Sequence, residues 1–135
     1  MGSQRPQEGQ FLGAFRELQH GAANGASLHD AVRERGEEYE DDLVRYLRSG
    51  AVLAVTTSAV YDVLSPDRAF IDGLSLLTDG QRFWHTDLAH YVERYHVALS
   101  DEFVRHARRL HWRPPQLTEE DLIRIADSFF DDDVS

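Results

Sequence analysis

The chain has 135 residues, no cysteine, and 24 acidic against 14 basic residues, for a formal charge of −10. One domain of this size buries enough surface to hold a core without staples, and the missing cysteines exclude disulfides, thiolate zinc sites and thiol nucleophiles. The charge argues against affinity for nucleic acid or anionic membrane and for a partner with a basic surface. Every base is an arginine, which fits the codon bias of a high-GC genome. No apolar run approaches the roughly 20 residues of a membrane span, and no secretory signal is evident, so a cytoplasmic protein is expected.

Residues 1 to 9 are polar and aperiodic, but Phe11, Phe15 and Leu18 recur at i, i+4 and i+7. That spacing predicts a short amphipathic helix near 10 to 20. The run Gly21-Ala22-Ala23-Asn24-Gly25-Ala26 follows, and its small residues predict a flexible joint. Residues 1 to 26 are therefore expected to be a flexible segment, 27 to 130 a single domain and 131 to 135 an acidic tail. The N-terminal helix either covers the core or docks on a partner or on a second copy.

Ser27 is a good N-cap for a turn or two of helix through Val32, and Gly36 weakens the pattern. Tyr39, Leu43, Tyr46 and Leu47 then mark the apolar face of a helix that ends at Gly50, with Asp41 and Arg45 spaced to pair at i, i+4. Glu37, Glu38, Glu40, Asp41 and Asp42 form the densest acidic cluster of the chain. They read as a solvated helix start or as a surface for a basic partner.

After Gly50 the period changes. Ala51 to Thr57 and Val60 to Leu64 predict strands, with a turn at Ser65-Pro66-Asp67. Leu74 to Thr78 and Gln81 to His85 flank Asp79-Gly80, which predicts a two-residue hairpin loop with both central residues at φ > 0. Three helices then start alike, each with a cap followed by acids: Thr86 before Asp87, Ser100 before Asp101-Glu102, and Thr118 before Glu119-Glu120-Asp121. Their inner faces are Leu88, Tyr91, Val92 and Tyr95; Phe103, Ala107 and Leu110; and Leu122, Ile125, Ala126 and Phe129. Together this predicts an α+β fold, with N-terminal helices, about four strands of antiparallel sheet covered on one face, and three C-terminal helices.

Leu76-Leu77-Thr78-Asp79-Gly80, Trp84, Asp87-Leu88-Ala89, Tyr91-Val92, Tyr95 and Phe103-Val104 resemble a hairpin-plus-helix pattern of small uncharacterised proteins from high-GC bacteria, over about residues 43 to 108. Some of those proteins are similar in size and acidity to immunity proteins that neutralise toxins. The resemblance implies the α+β fold and a protein partner.

Of seven histidines, His85 and His90 cluster with Asp87 where a strand meets a helix. His85 precedes the expected cap, so no common helical face is guaranteed for a metal or acid–base site. His106 and His111 are five apart, about 140 degrees around a helix, and share no ligand sphere. Ser58 and Ser75 lack a nucleophile elbow and no glycine-rich phosphate loop occurs. No catalytic centre, metal or cofactor is expected.

Arg105, Arg108 and Arg109, with Arg113 beyond, form a basic stripe whose phosphate reading is weak on so acidic a chain; Asp131-Asp132-Asp133 could neutralise it. Trp112 and Phe130 end their helices beside prolines or charges. They are the aromatic residues expected at an interface, together with the acidic cluster.

Overall fold

The computed structural model describes residues 11–130. In chain order they form α1 (Leu28–Ala31), α2 (Glu40–Arg48), β1 (Ala51–Tyr61), β2 (Phe70–Thr78), β3 (Phe83–His85), α3 (Leu88–Tyr95), α4 (Asp101–Arg109) and α5 (Glu119–Phe130). The class is α+β, with one antiparallel sheet in the order β1-β2-β3. The expected acidic tail lies outside the described residues.

Three strands replace the four expected. Thr57-Ser58 carries neither glycine nor proline to reverse the chain, so β1 runs through it and takes up the irregularity as bulges. The register slips between Val55 and Ala59, where Thr56 Oγ1 donates to the Leu74 carbonyl and accepts from the Ser58 amide. The turn at Ser65 then leads into β2.

The hairpin between β2 and β3 also differs from expectation. Thr78 pairs with Phe83, so the loop is Asp79 to Arg82, four residues rather than two. Within it Gly80 has φ +101 and Asp79 stays out of the left-handed region. Instead of shaping the turn through its backbone, Asp79 is buried and its Oδ1 accepts from the amides of Gln81 and Arg82 at 2.9 and 2.7 Å. Asparagine and aspartate favour turns for this reason.

Leu77 and Trp84 are register partners on the sheet face that packs against α2 and α4. The Trp84 indole N–H donates to the Leu47 carbonyl at 2.9 Å, and its ring meets Tyr46 and Phe103 at 6.2 and 6.1 Å. On the opposite face Phe83 meets Phe129 at 4.8 Å. The sheet is therefore covered on both faces near β3, not on one, because α5 returns across it.

The caps of Ser27, Ser100 and Thr118 form as the sequence predicts. Ser27 and Ser100 accept from the amides of Asp30 and Phe103, and Thr118 and Asp121 bond reciprocally. Thr86 does not cap α3: its hydroxyl donates to the Gly73 carbonyl at 2.6 Å and the N-cap position falls to Asp87. The expected Asp41–Arg45 pair is replaced by Asp42–Arg45, one residue nearer in sequence.

Residues 11 to 26 form no helix and no loose joint. Leu12, Phe15 and Leu18 are buried in the core, and the Leu12 amide donates to the Phe83 carbonyl at 2.8 Å. The segment is wound tightly, with Arg16 N bonded to Ala26 O and Ala22 N to Ala14 O. A Cβ on Gly21 or Gly25 would stand 1.9 Å from the Phe15 carbonyl oxygen or 2.2 Å from that of Ala14. These glycines permit close backbone approach, since a residue without a Cβ leaves that space to the carbonyl oxygens. Glu17 fixes the end of the segment by accepting from Leu28 N, Ser27 Oγ and His29 N. Burial would raise its carboxyl pKa, but those three donors outweigh it and hold it at about 2.

Candidate functional site

The acidic cluster straddles the start of α2, where Glu40, Asp41 and Asp42 oppose the positive end of the helix dipole. The five acids are not equivalent. Glu37 pairs with Arg33 at 2.9 Å and Asp42 with Arg45. Glu40 turns inward and binds His96 Nδ1 at 2.9 Å. Glu38 and Asp41 are exposed and make no ion pair among the described residues.

Between the acids sits Tyr39, which stacks on Trp112 with ring centroids 5.7 Å apart and planes 15° from parallel. The Arg108 guanidinium lies over both rings, 5.2 Å from Tyr39 and 5.7 Å from Trp112. Cation–π contacts of this kind are worth about 0.5–1 kcal/mol at exposed sites. His111 and Trp112 both adopt left-handed backbone, at φ +56 and +61. Amides 111 and 112 bond back to the carbonyls of Arg108 and Ala107, which closes α4 and swings Trp112 onto Tyr39. Burial and the neighbouring Glu37 raise the Tyr39 pKa, partly offset by Arg33, with Asp101 adding to the rise and Arg108 opposing it.

Two parts of the expected interface, the acidic cluster and Trp112, thus come together. Phe130 is not placed with them, since its side chain lies outside the described residues. Of the basic stripe, Arg108 joins the aromatic stack, while Arg105, Arg109 and Arg113 are exposed and make no ion pair among the described residues. Their expected neutralisation by Asp131-Asp132-Asp133 also lies outside those residues.

His85, Asp87 and His90 do not converge. Asp87 binds His20 Nε2 at 2.7 Å, while His90 turns to Asp62 at 2.8 Å. His85 lies against His20, with ring centroids 4.3 Å apart. Burial holds His85 uncharged, its pKa lowered to about 4, with His20 lowering it further and Asp87 opposing. The sign follows: the neutral ring stabilises the fold fully above pH 6.5, and this contribution is lost as pH falls from about 6.5 towards 4. In a His85→Leu variant the stability difference between pH 7.5 and pH 5, read from urea unfolding, shrinks by roughly 1–2 kcal/mol. An unchanged difference would place the protonatable group elsewhere.

The spacing of residues along the chain gave no sign of how the buried aspartates are met. Asp62, Asp79 and Asp87 are each 2% exposed, and each accepts from a histidine on another element, the third pair being His106 to Asp79 at 3.0 Å. Tyr95 and Tyr46 add their hydroxyls to Asp62 and Asp79. Burial would raise the Asp62 pKa, but His90, Tyr95 and the Leu64 amide hold it below the usual carboxylate range. These pairs join elements and give the buried carboxylates hydrogen-bond partners in the interior, as buried polar groups require. Elsewhere Val55 is 74% and Phe70 64% exposed on the β1–β2 hairpin.

No group of three or more His, Asp or Glu among the described residues could hold a metal ion, and no helix among them is long and apolar enough to cross a membrane. The chain matches no protein-family model, and neither a curated protein nor a solved structure matches it.

Proposed function

We propose that this protein is a non-catalytic cytoplasmic binding domain that masks a basic surface on another protein, in the manner of an immunity or antitoxin protein. The observation that carries this reading is the Tyr39–Trp112 stack, which sets two half-exposed aromatic side chains beside Glu38 and Asp41, acids that make no ion pair among the described residues. Interfaces draw their affinity from such anchors, with Trp, Tyr and Arg over-represented, while the surrounding charge steers encounter. Here Glu38 and Asp41 provide the steering charge and Tyr39, Trp112 and Arg108 the anchor. The remaining acids are already engaged within the fold.

The two roles separate kinetically. Reversing both free acids, Glu38→Arg with Asp41→Arg, slows association with the partner by about tenfold or more at low salt and much less at high salt. Trp112→Ala leaves the association rate nearly unchanged and speeds dissociation, at a cost of about 2 kcal/mol. Surface plasmon resonance with the full-length protein checks both. An association rate indifferent to charge reversal and to salt would remove the reading.

A further inference from the structure

α5 is held differently from the helices that precede it. α2, α3 and α4 each carry three or four buried side chains. Over its 12 residues α5 carries none among its described side chains: Leu122, Ile125, Ala126 and Phe129 are half-buried, and Ile123 is 56% exposed. Polar contacts do not make up the difference. The bonds of Asp121 with Thr118 and Arg124 stay within the helix and its cap, and residues 119 to 128 make no hydrogen bond or ion pair with another element among the described residues.

What α5 covers is separate from the main core. Leu77 and Trp84 face that core, so their strand neighbours Leu76 and Phe83 face the other way. Leu76 and Phe83 are buried, yet neither belongs to the cluster of side chains that forms the core, and no α5 residue packs against that cluster. Phe129 rests on Phe83 and Phe11, with ring centroids 4.8 and 6.4 Å apart. Lifting α5 away therefore takes no side chain out of the core.

The connection to α5 has a fixed end and a free stretch. Trp112 is pinned on Tyr39. From Pro114 to Leu117 no residue makes a hydrogen bond among the described residues, and the two prolines have no amide to donate. Leu117 lies over the hairpin loop, where a Cβ on Gly80 would stand 3.5 Å from its Cδ2. Segments with few buried apolar contacts and no polar ties open at the low end of a protein's range of local stabilities.

We infer that α5 is a lid that opens as a unit about residues 113 to 117 while the rest of the domain stays folded, uncovering Phe83, Leu76 and Phe11. Once released, a helix of this length is marginal in water and melts. The opening leaves the Tyr39–Trp112 stack in place, so the inference does not rest on that face binding a protein.

Amide hydrogen exchange of the full-length protein, read residue by residue by NMR, tests the lid. The hydrogen-bonded amides of α5 are expected to share one protection factor, about a hundredfold or more below those of α2 and α3. Phe129→Ala, which removes the ring on Phe83, lowers protection in α5 by a further factor of about ten and leaves α2 and α3 unchanged. Protection in α5 equal to that of α2 and α3, or a Phe129→Ala variant that loses protection in all three helices alike, would overturn the lid and make α5 part of one cooperative unit. If the variant does not fold, the comparison of α5 with α2 and α3 in the unaltered protein decides.

Discussion

Replacing Asp79 with alanine destabilises the domain by about 3–5 kcal/mol, the penalty of stripping one partner from a buried charged network. Four donors converge on this carboxylate. Oδ1 takes the Gln81 and Arg82 amides, and Oδ2 takes the Tyr46 hydroxyl and His106 Nε2. Tyr46 is fully buried, so its hydroxyl finds no water when Asp79 is lost, and the hairpin loop loses the acceptor that shapes it. The carboxylate raises the Tyr46 pKa well above its ordinary value, burial contributing most. At this chain length the expected drop in melting temperature is roughly 10–20 °C. Asp79→Asn, which keeps an acceptor for the loop amides, costs about half as much. A loss below about 1 kcal/mol for Asp79→Ala in urea unfolding would show that the network is not what joins α2, α4 and the hairpin.

Deleting residues 1 to 26 has a still larger effect. Leu12, Phe15 and Leu18 leave the core together, and each such loss costs about 2–5 kcal/mol. The sum is comparable to the whole stability of an ordinary domain, about 5–15 kcal/mol. Asp87 would also lose His20, its partner at 2.7 Å, and Ser27 and Leu28 the carboxylate of Glu17. The truncated chain is expected to show no cooperative thermal transition by circular dichroism. A sharp melt within a few degrees of the full chain would mean that the segment is a tether after all.

These two results bear on how far the fold could be read from the sequence. Local signals with a chemical mechanism held well. Ser27, Ser100 and Thr118 cap the helices they precede, whereas Thr86, with the same signal, is drawn off by the Gly73 carbonyl across the sheet and leaves the N-cap to Asp87. The i, i+4, i+7 recurrence of Phe11, Phe15 and Leu18 misled for an equally physical reason. A loop that winds on itself also returns apolar side chains to the core every three or four residues, and periodicity does not distinguish it from a helix turn. Gly21 and Gly25 looked like a joint because composition reports conformational freedom, not the carbonyl oxygens that fill the space a side chain would need.

The candidate face was legible in halves. The acids were visible as a run and Trp112 as an aromatic residue at a helix end. Their union depends on the left-handed backbone at His111 and Trp112, which no residue there announces. Tyr39 read as part of the apolar face of α2, and it does pack at the edge of the core, with its ring also open to Trp112. The histidine–aspartate pairs were beyond reach because their members lie 27 to 67 residues apart. Sequence proximity instead grouped His85, Asp87 and His90, which the fold separates.

The binding reading stands or falls on whether the charge of Glu38 and Asp41 and the ring of Trp112 select the same partner. The most direct measurement is affinity capture from the native host's lysate with three full-length baits: the unaltered protein, Glu38→Arg with Asp41→Arg, and Trp112→Ala. Each is run at low and at high salt and read by mass spectrometry. The account predicts one basic protein that the unaltered bait retains at low salt, that high salt releases, and that both variants fail to hold. A partner kept equally by all three baits, or the absence of any basic protein that distinguishes them, would contradict it.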